Sequence, residues 1–262
     1  MNEEKLKFWD ERAHLSDFAG SNDFGIKNFE MSTLDQFIED GMKVLDLGCG
    51  SGTSAFYFAR NKDIDITGLD FSPKMIDQAN FDMKDRGFDS SKMRFFVEDI
   101  KKISDSPHIR NQKYDLVITE RVLINLDSWD EQKKAILDIM ELVKKDAKYL
   151  MCENLQEGLD NLNKMRNKID LEPIEKPWHN RYLFQKELES INEVEIVDSI
   201  DFSSTYYFFS RIINAGIASI EKTSPSYDAP VNQLSFDLKD HLDLSHLNIG
   251  QTRLWVIKNL EN

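Results

Sequence analysis

Apolar residues follow two alternating rhythms over the first 150 positions. Short runs surround few polar residues: Val44, Leu45 and Leu47 around Asp46, then Asp65-Ile-Thr-Gly-Leu-Asp70, Met93-Arg-Phe-Phe-Val97, Tyr114-Asp-Leu-Val-Ile-Thr119 and Lys148–Cys152. Each reads as a strand, the first as one buried on both faces of a parallel sheet. Between them, Ala55, Phe56, Phe58 and Ala59, then Met75, Ile76 and Ala79, then Ala135, Ile136, Ile139, Met140 and Val143 recur at helical spacing. Strands alternating with helices at this cadence predict an α/β fold with a parallel, doubly wound sheet, whose ligands lie beyond the carboxyl ends of the strands.

The flanks differ. Phe8–Ala13 predicts a short amphipathic helix, residues 20–25 a loop, and Ile26–Ile38 a helix through Phe29, Leu34, Phe37 and Ile38, closed by Asp40-Gly41. After Glu153 the rhythm breaks. Leu155–Ile169 predicts a polar helix, Pro173 to Pro177 a turn-rich stretch, Gln185–Ile191 a helix, Glu193–Ile200 a sixth strand, Phe202–Ile220 an aromatic-rich helix and Arg253–Lys258 a last strand. No repeat is visible, and one domain is expected over 1–262.

Charge narrows the partners. Lys plus Arg number 33 against 47 Asp plus Glu, so the chain carries −14 and would repel a phosphate backbone. Nucleic acid is an unexpected partner. Cys49 and Cys152 sit in apolar contexts, which favours a reducing compartment over a disulfide framework. No opening segment reads as a signal peptide and no apolar run reaches a membrane span, so the expectation is a soluble, cytoplasmic protein, monomer or homodimer.

The candidate chemistry begins at Lys43–Ser54, a strand followed by Gly48, Gly50 and Gly52 and then a helix start that Thr53 or Ser54 would cap. Such a turn brings a ligand against bare backbone at the positive end of a helix. Asp46, two residues before the first glycine, suits an amino group. Asp70 lies 18 positions beyond Gly52 at the tip of the second strand, where an acid accepts ribose hydroxyls. Ser72 and Pro73 start the next helix as cap and first turn. A nicotinamide-dependent oxidoreductase is the alternative, but its fingerprint requires Gly-x-Gly-x-x-Gly where this chain has Gly-x-Gly-x-Gly.

Together these residues resemble the class I S-adenosylmethionine-dependent methyltransferases: Val44–Gly52 as first motif, Gly68–Asp70 as second, Val97–Ile100 as third and Tyr114–Leu126 as fourth, over roughly 43–153. The resemblance implies a mostly parallel seven-stranded sheet with the last strand antiparallel, and S-adenosylmethionine as donor with S-adenosylhomocysteine as product. It implies that Gly48, Cys49 and Gly50 line the methionine portion, and that Asp70 takes the ribose. Phe71 and Met75 would face the adenine, with Glu98, Asp99 and Ile100 at its amino edge and Glu120 beneath the donor. Phe8-Trp9-Asp10-x-Arg12-Ala13 and Gly20-Ser-Asn-Asp23 resemble small-molecule methyltransferases of bacterial surface-sugar pathways. That implies a helical lid over the donor, with Trp9, Gly20 or Asp23 touching it; the expected division of the chain is this lid over residues 1–42, a donor-binding core over 43–153, an acceptor-side insertion over 154–192, and 193–262 for the last two strands and the helix between them. Thr119-Glu120-Arg121 departs from the Pro-Pro pattern of base and glutamine methylases, and no metal-ligand spacing is present.

For the acceptor, His179 is the best single base by its unperturbed pKa of about 6.5, although a structural loop histidine is equally consistent. Trp178 offers stacking, Asn180 hydroxyl contacts and Arg181 a partner for carboxylate or phosphate. Glu153 and Asn154 leave the fifth strand where ligand groups gather, or else cap the next helix. Tyr206, Tyr207, Phe208 and Phe209 either wall the acceptor or fill the core, with two of the four expected in the core. The expected reaction is methylation of an oxygen on a small polar acceptor, such as a nucleotide-linked or phosphorylated sugar. A non-catalytic donor-binding relative is the other alternative.

Overall fold

The computed structural model describes residues 3–259. Seven strands, β1 (Lys43–Leu47), β2 (Asp65–Asp70), β3 (Met93–Val97), β4 (Tyr114–Glu120), β5 (Val143–Asn154), β6 (Val194–Ile200) and β7 (Thr252–Asn259), form one sheet in the order β3-β2-β1-β4-β5-β7-β6. All pairs among β1 to β5 are parallel, and β7 runs antiparallel to both β5 and β6. The order reverses between β1 and β4, which opens a crevice at their carboxyl ends.

Alternation along β1 explains its apolar run. Leu45 and Leu47 join Val117, Tyr149, Ile136 and Ile139 on one face, whereas Val44 joins Ile66, Leu116, Phe56 and Leu34 on the other. Helices cover both faces: α1 (Glu3–Arg12), α2 (Phe24–Asp35), α3 (Thr53–Ala59), α4 (Pro73–Asp85), α5 (Trp129–Met140), α6 (Gln156–Asn167) and α7 (Gln185–Leu188). Ser72 caps α4 as expected, accepting from the Met75 amide at 3.1 Å with Pro73 in the first turn. Neither Thr53 nor Ser54 caps α3; Gly52 holds that place at φ 83°, without a side-chain cap.

Three elements depart from the expected pattern. β5 begins five residues early because Val143 pairs with Tyr114 before a bulge across exposed residues 144–146. The 202–220 stretch is broken into α8 (Ser204–Tyr207), a π-helical segment Phe208–Ile213 and α9 (Asn214–Glu221). Tyr206 and Tyr207 are buried, and Phe208 and Phe209 are half-buried. A further helix, α10 (Pro230–Asp237), was not indicated by any apolar periodicity. No helix among the described residues is long and apolar enough to cross a membrane.

Candidate active site

A cavity lies at the carboxyl ends of β1, β2 and β4, where ligands bind in open α/β sheets. The glycine loop forms one wall. Gly48 (φ 72°) needs to be glycine because a Cβ there would come 2.3 Å from a Val122 methyl, whereas a Cβ on Gly50 (φ 53°) would meet nothing within 4 Å. Asp70 braces this loop: its Oδ2 accepts from the Gly50 amide at 3.0 Å and its Oδ1 from the Ser72 amide at 2.8 Å. Burial pushes its carboxyl up to about 6 against the pull of those two amides. Phe71 and Met75 continue the wall, and so does Cys49, whose thiol is pushed up by burial.

The other end is charged. Asp46 is only 2% exposed, and its Oδ2 has no hydrogen-bond partner among the described residues. Burial, then Glu120 and Asp70, raises its carboxyl well above the usual range. Lys27 of α2 lines the same end at 7% exposure, and among the described residues its ammonium has neither hydrogen bond nor ion pair. Burial, followed by the neighbouring Arg121, lowers its pKa. Arg121, at φ 58° just past β4, pairs through Nε with the fully buried Glu30 at 3.0 Å. Desolvation raises Glu30 to about 7. Glu120 and Asn125 complete this end.

The N-terminal segment closes the cavity with Trp9, Ala19 and Gly20. It is stitched to the glycine loop: Ser51 Oγ donates to the Ser16 carbonyl at 2.9 Å, and Thr53 Oγ1 to Asp17 at 3.0 Å. Ser72 Oγ donates to Asp10.

Several candidate residues are engaged elsewhere. Asp23 does not border the cavity; it caps α2 through the Ile26 amide, accepts the Tyr206 hydroxyl and pairs with Arg211 at 2.5 Å. Tyr206 is therefore a buried partner of α2, away from the donor cavity. Glu153 is fully buried and accepts from the amides of Val122 and Leu123 at 3.0 Å and Ile124 at 3.3 Å. It shapes the loop after β4 and faces no ligand space. Burial carries it to about 7 despite those three amides. Asn154 accepts from Thr252 Oγ1 at 3.0 Å. Arg181 is locked in a bidentate pair with Glu187 and also donates to Gln132 at 2.5 Å.

His179 packs behind Trp9, with ring centroids 4.5 Å from Phe8 and 5.4 Å from Trp9, and does not border the cavity. Burial and then Lys5 and Arg12 depress it to about 4, which makes it a poor base. Trp178 stacks edge-on beside it but is 58% exposed, and Asn180 is half-buried outside the lining. Glu98 and Ile100 border a separate hollow of about 190 Å³ behind Gly48, and Asp99 caps the turn Ile100–Asp105.

Lys27, Arg121 and Asn125 also line the cavity, and no spacing or motif in the sequence assigns any of the three a role. The one available signal is charge at buried helical spacing, since Lys27 and Glu30 interrupt the stripe of Ile26, Met31 and Leu34.

Residues 38–193, more than half of the chain, match the family described as "Methyltransferase domain". The chain belongs to that family. With its sheet order and antiparallel last strand, it is a class I S-adenosylmethionine-dependent methyltransferase domain, and the nicotinamide alternative is set aside. Carboxy-S-adenosyl-L-methionine synthase of Nautilia profundicola is 25% identical over 199 residues, 74% of this chain and 77% of that protein. Phosphoethanolamine N-methyltransferase 3 of Arabidopsis thaliana is 51% identical over 39 residues, and this chain spans only 8% of that enzyme's length. Geranyl diphosphate C-methyltransferase of Streptomyces coelicolor A3(2), solved with Mg2+, geranyl diphosphate and S-adenosylhomocysteine, shares the fold. The TM-score is 0.55 and the identity 12%, over 89% of this chain and 79% of that one.

The cofactor of this methyltransferase domain is S-adenosylmethionine. The cavity fits it: bare Gly50 backbone, a braced acid at Asp70, and at the far end a carboxyl and an amine, Asp46 and Lys27, whose Oδ2 and Nζ have no partner among the described residues.

Proposed function

We propose that this domain transfers a methyl group from S-adenosylmethionine to a hydroxyl of a small polar acceptor. The observation that carries the donor half is the opposed pair Asp46 and Lys27. They lie within electrostatic reach of each other, both line the cavity, and among the described residues neither Lys27 Nζ nor Asp46 Oδ2 has a hydrogen-bond partner. Burial disfavours the charged form of both groups in the empty site. A zwitterionic amino-acid tail satisfies both, with its ammonium on Asp46 and its carboxylate on Lys27. Asp70 serves the ribose, and Phe71 and Met75 the adenine.

When bound, the donor supplies an electrophilic methyl on a sulfonium. The chain's part is alignment, exclusion of water and removal of one proton. Trp9, Ala19 and Gly20 cover the cavity against water, and Glu120, a cavity acid with no hydrogen bond among the described residues, is placed to accept the acceptor's proton. Arg181 carried the expectation of an anionic sugar and is consumed by Glu187, so the surface-sugar reading rests on the resemblance of the N-terminal segment alone.

Calorimetry with S-adenosylhomocysteine and NADH, followed by radiolabelled methyl transfer into small-molecule pools, tests the proposal. The expected result is selective binding of S-adenosylhomocysteine and a methylated product. Preference for NADH would overturn the donor reading. Donor binding without any labelled product would replace catalysis by a donor-binding role.

A further inference from the structure

Helix α2 separates two hollows. Lys27 faces the donor cavity, while Phe24, Gly25 and Asn28 border an open cleft of about 890 Å³ between α2 and the 227–236 segment. The cleft is walled by four aromatic rings: Phe24, Tyr206, Tyr227 and Phe236. Two are fixed by packing, since Phe236 stacks on Phe29 at 4.3 Å and meets Tyr206 at 5.9 Å. Tyr227 is held by the Arg211 guanidinium, 4.9 Å from its ring centroid, and Arg211 is in turn neutralised by Asp23 at 2.5 Å.

The polar groups of the cleft are all neutral or acidic. Asp228 sits at its exposed rim, and no Lys, Arg or His borders it. In the floor, Asn232 donates its amide hydrogens to the carbonyls of Ser226 at 3.2 Å and Tyr227 at 2.8 Å. That fixes the amide orientation and leaves Oδ1, buried and without a partner among the described residues, as an acceptor. Arg211 occupies one face of Tyr227 with its charge balanced by Asp23, and the rest of the cleft offers ring surface, the Asp228 carboxylate and the Asn232 acceptor, in a chain of net charge −14.

We infer that this cleft binds a small organic ammonium ion carried on an aryl or alkyl frame, at a site separate from the donor cavity. The body of the ligand lies between the rings, and its N–H groups face Asp228 and the Asn232 floor. The inference is independent of methyl transfer and concerns a different face of α2.

The test uses the full chain with phenethylammonium and its neutral counterpart 2-phenylethanol, followed by amide chemical-shift titration. Phenethylammonium is expected to bind at least tenfold more tightly than the alcohol. Asp228→Asn and Tyr227→Leu, both at exposed positions, are expected to weaken the ammonium several-fold while leaving S-adenosylhomocysteine affinity unchanged. Equal affinity for the two probes, or no saturable binding in the millimolar range, overturns the assignment. So does loss of ammonium binding when S-adenosylhomocysteine saturates the protein, which would place the amine in the donor cavity.

Discussion

At the scale of single residues, Lys27 and Asp46 carry the most specific expectation. A charge-assisted hydrogen bond is worth about 1.5–3 kcal/mol, so Lys27→Met is expected to weaken S-adenosylhomocysteine about 10- to 100-fold in calorimetry. Binding of 5′-methylthioadenosine, which has no amino-acid tail, should be unchanged; an equal loss for both ligands would remove Lys27 from the tail. Glu120→Gln should lower turnover by about 10²-fold, the lower range for a general base, with S-adenosylhomocysteine affinity retained. Unaltered turnover would assign the proton elsewhere. The glycine loop, Asp46 and Asp70 were legible because their places follow from spacing within a strand, turn and helix. Asp23, Glu153 and Arg181 were misread for a different reason. Proximity to the site along the chain says nothing about partners, and Asp23 is neutralised by Arg211, 188 positions away. Lys27 was invisible because a lysine beside apolar neighbours on a helix reads equally well as solvated.

At the scale of elements, β1, β2 and β4 were legible as strands because burial on both faces leaves a near-continuous apolar run, which the largely exposed edge strand β6 lacks. The polar start of β5 gives no such run. The π-helical segment escaped because its apolar residues, Phe208, Phe209, Ile212 and Ile213, also fit regular helical spacing. What a periodicity cannot reveal is close approach between elements. Helix α6 leans on the turn before β7, where a Cβ at Gly158 would stand 2.1 Å from the Gly250 carbonyl oxygen and 3.1 Å from the Gln251 Cα. Both are backbone atoms, and the Leu155 amide donates to the Gln251 carbonyl at 2.7 Å, so the turn has no room to yield. Gly158→Ala should therefore destabilise the protein by about 1–3 kcal/mol, the usual range for overpacking, despite alanine's better helix propensity. A denaturant midpoint at or above that of the parent would show that α6 can slide.

At the scale of the whole molecule, the buried acids set how stability responds to pH. Glu30 and Glu153 are raised to about 7 and Asp70 to about 6, each chiefly by burial, from ordinary values of 4.5 and 3.8. The folded chain holds these protons where the unfolded chain has released them. Their stabilising contribution is thus fully present below about pH 4 and is lost as pH rises through 6 to 7. His179 works in the opposite direction: depressed from 6.5 to about 4, it favours the folded state above pH 6.5 and withdraws that support on acidification. Three carboxyls outweigh one imidazole between pH 5.5 and 8. The ligand-free protein is accordingly expected to show a melting temperature that falls as pH is raised from 5.5 to about 7 and levels off above it. Glu153→Gln replaces one titrating group by an amide, so its melting curve should fall less steeply with pH whatever its absolute stability. A parent melting temperature that climbs steadily from pH 5.5 to 8 would mean that these acids are ionised in the folded protein and that burial has been offset by contacts outside those described.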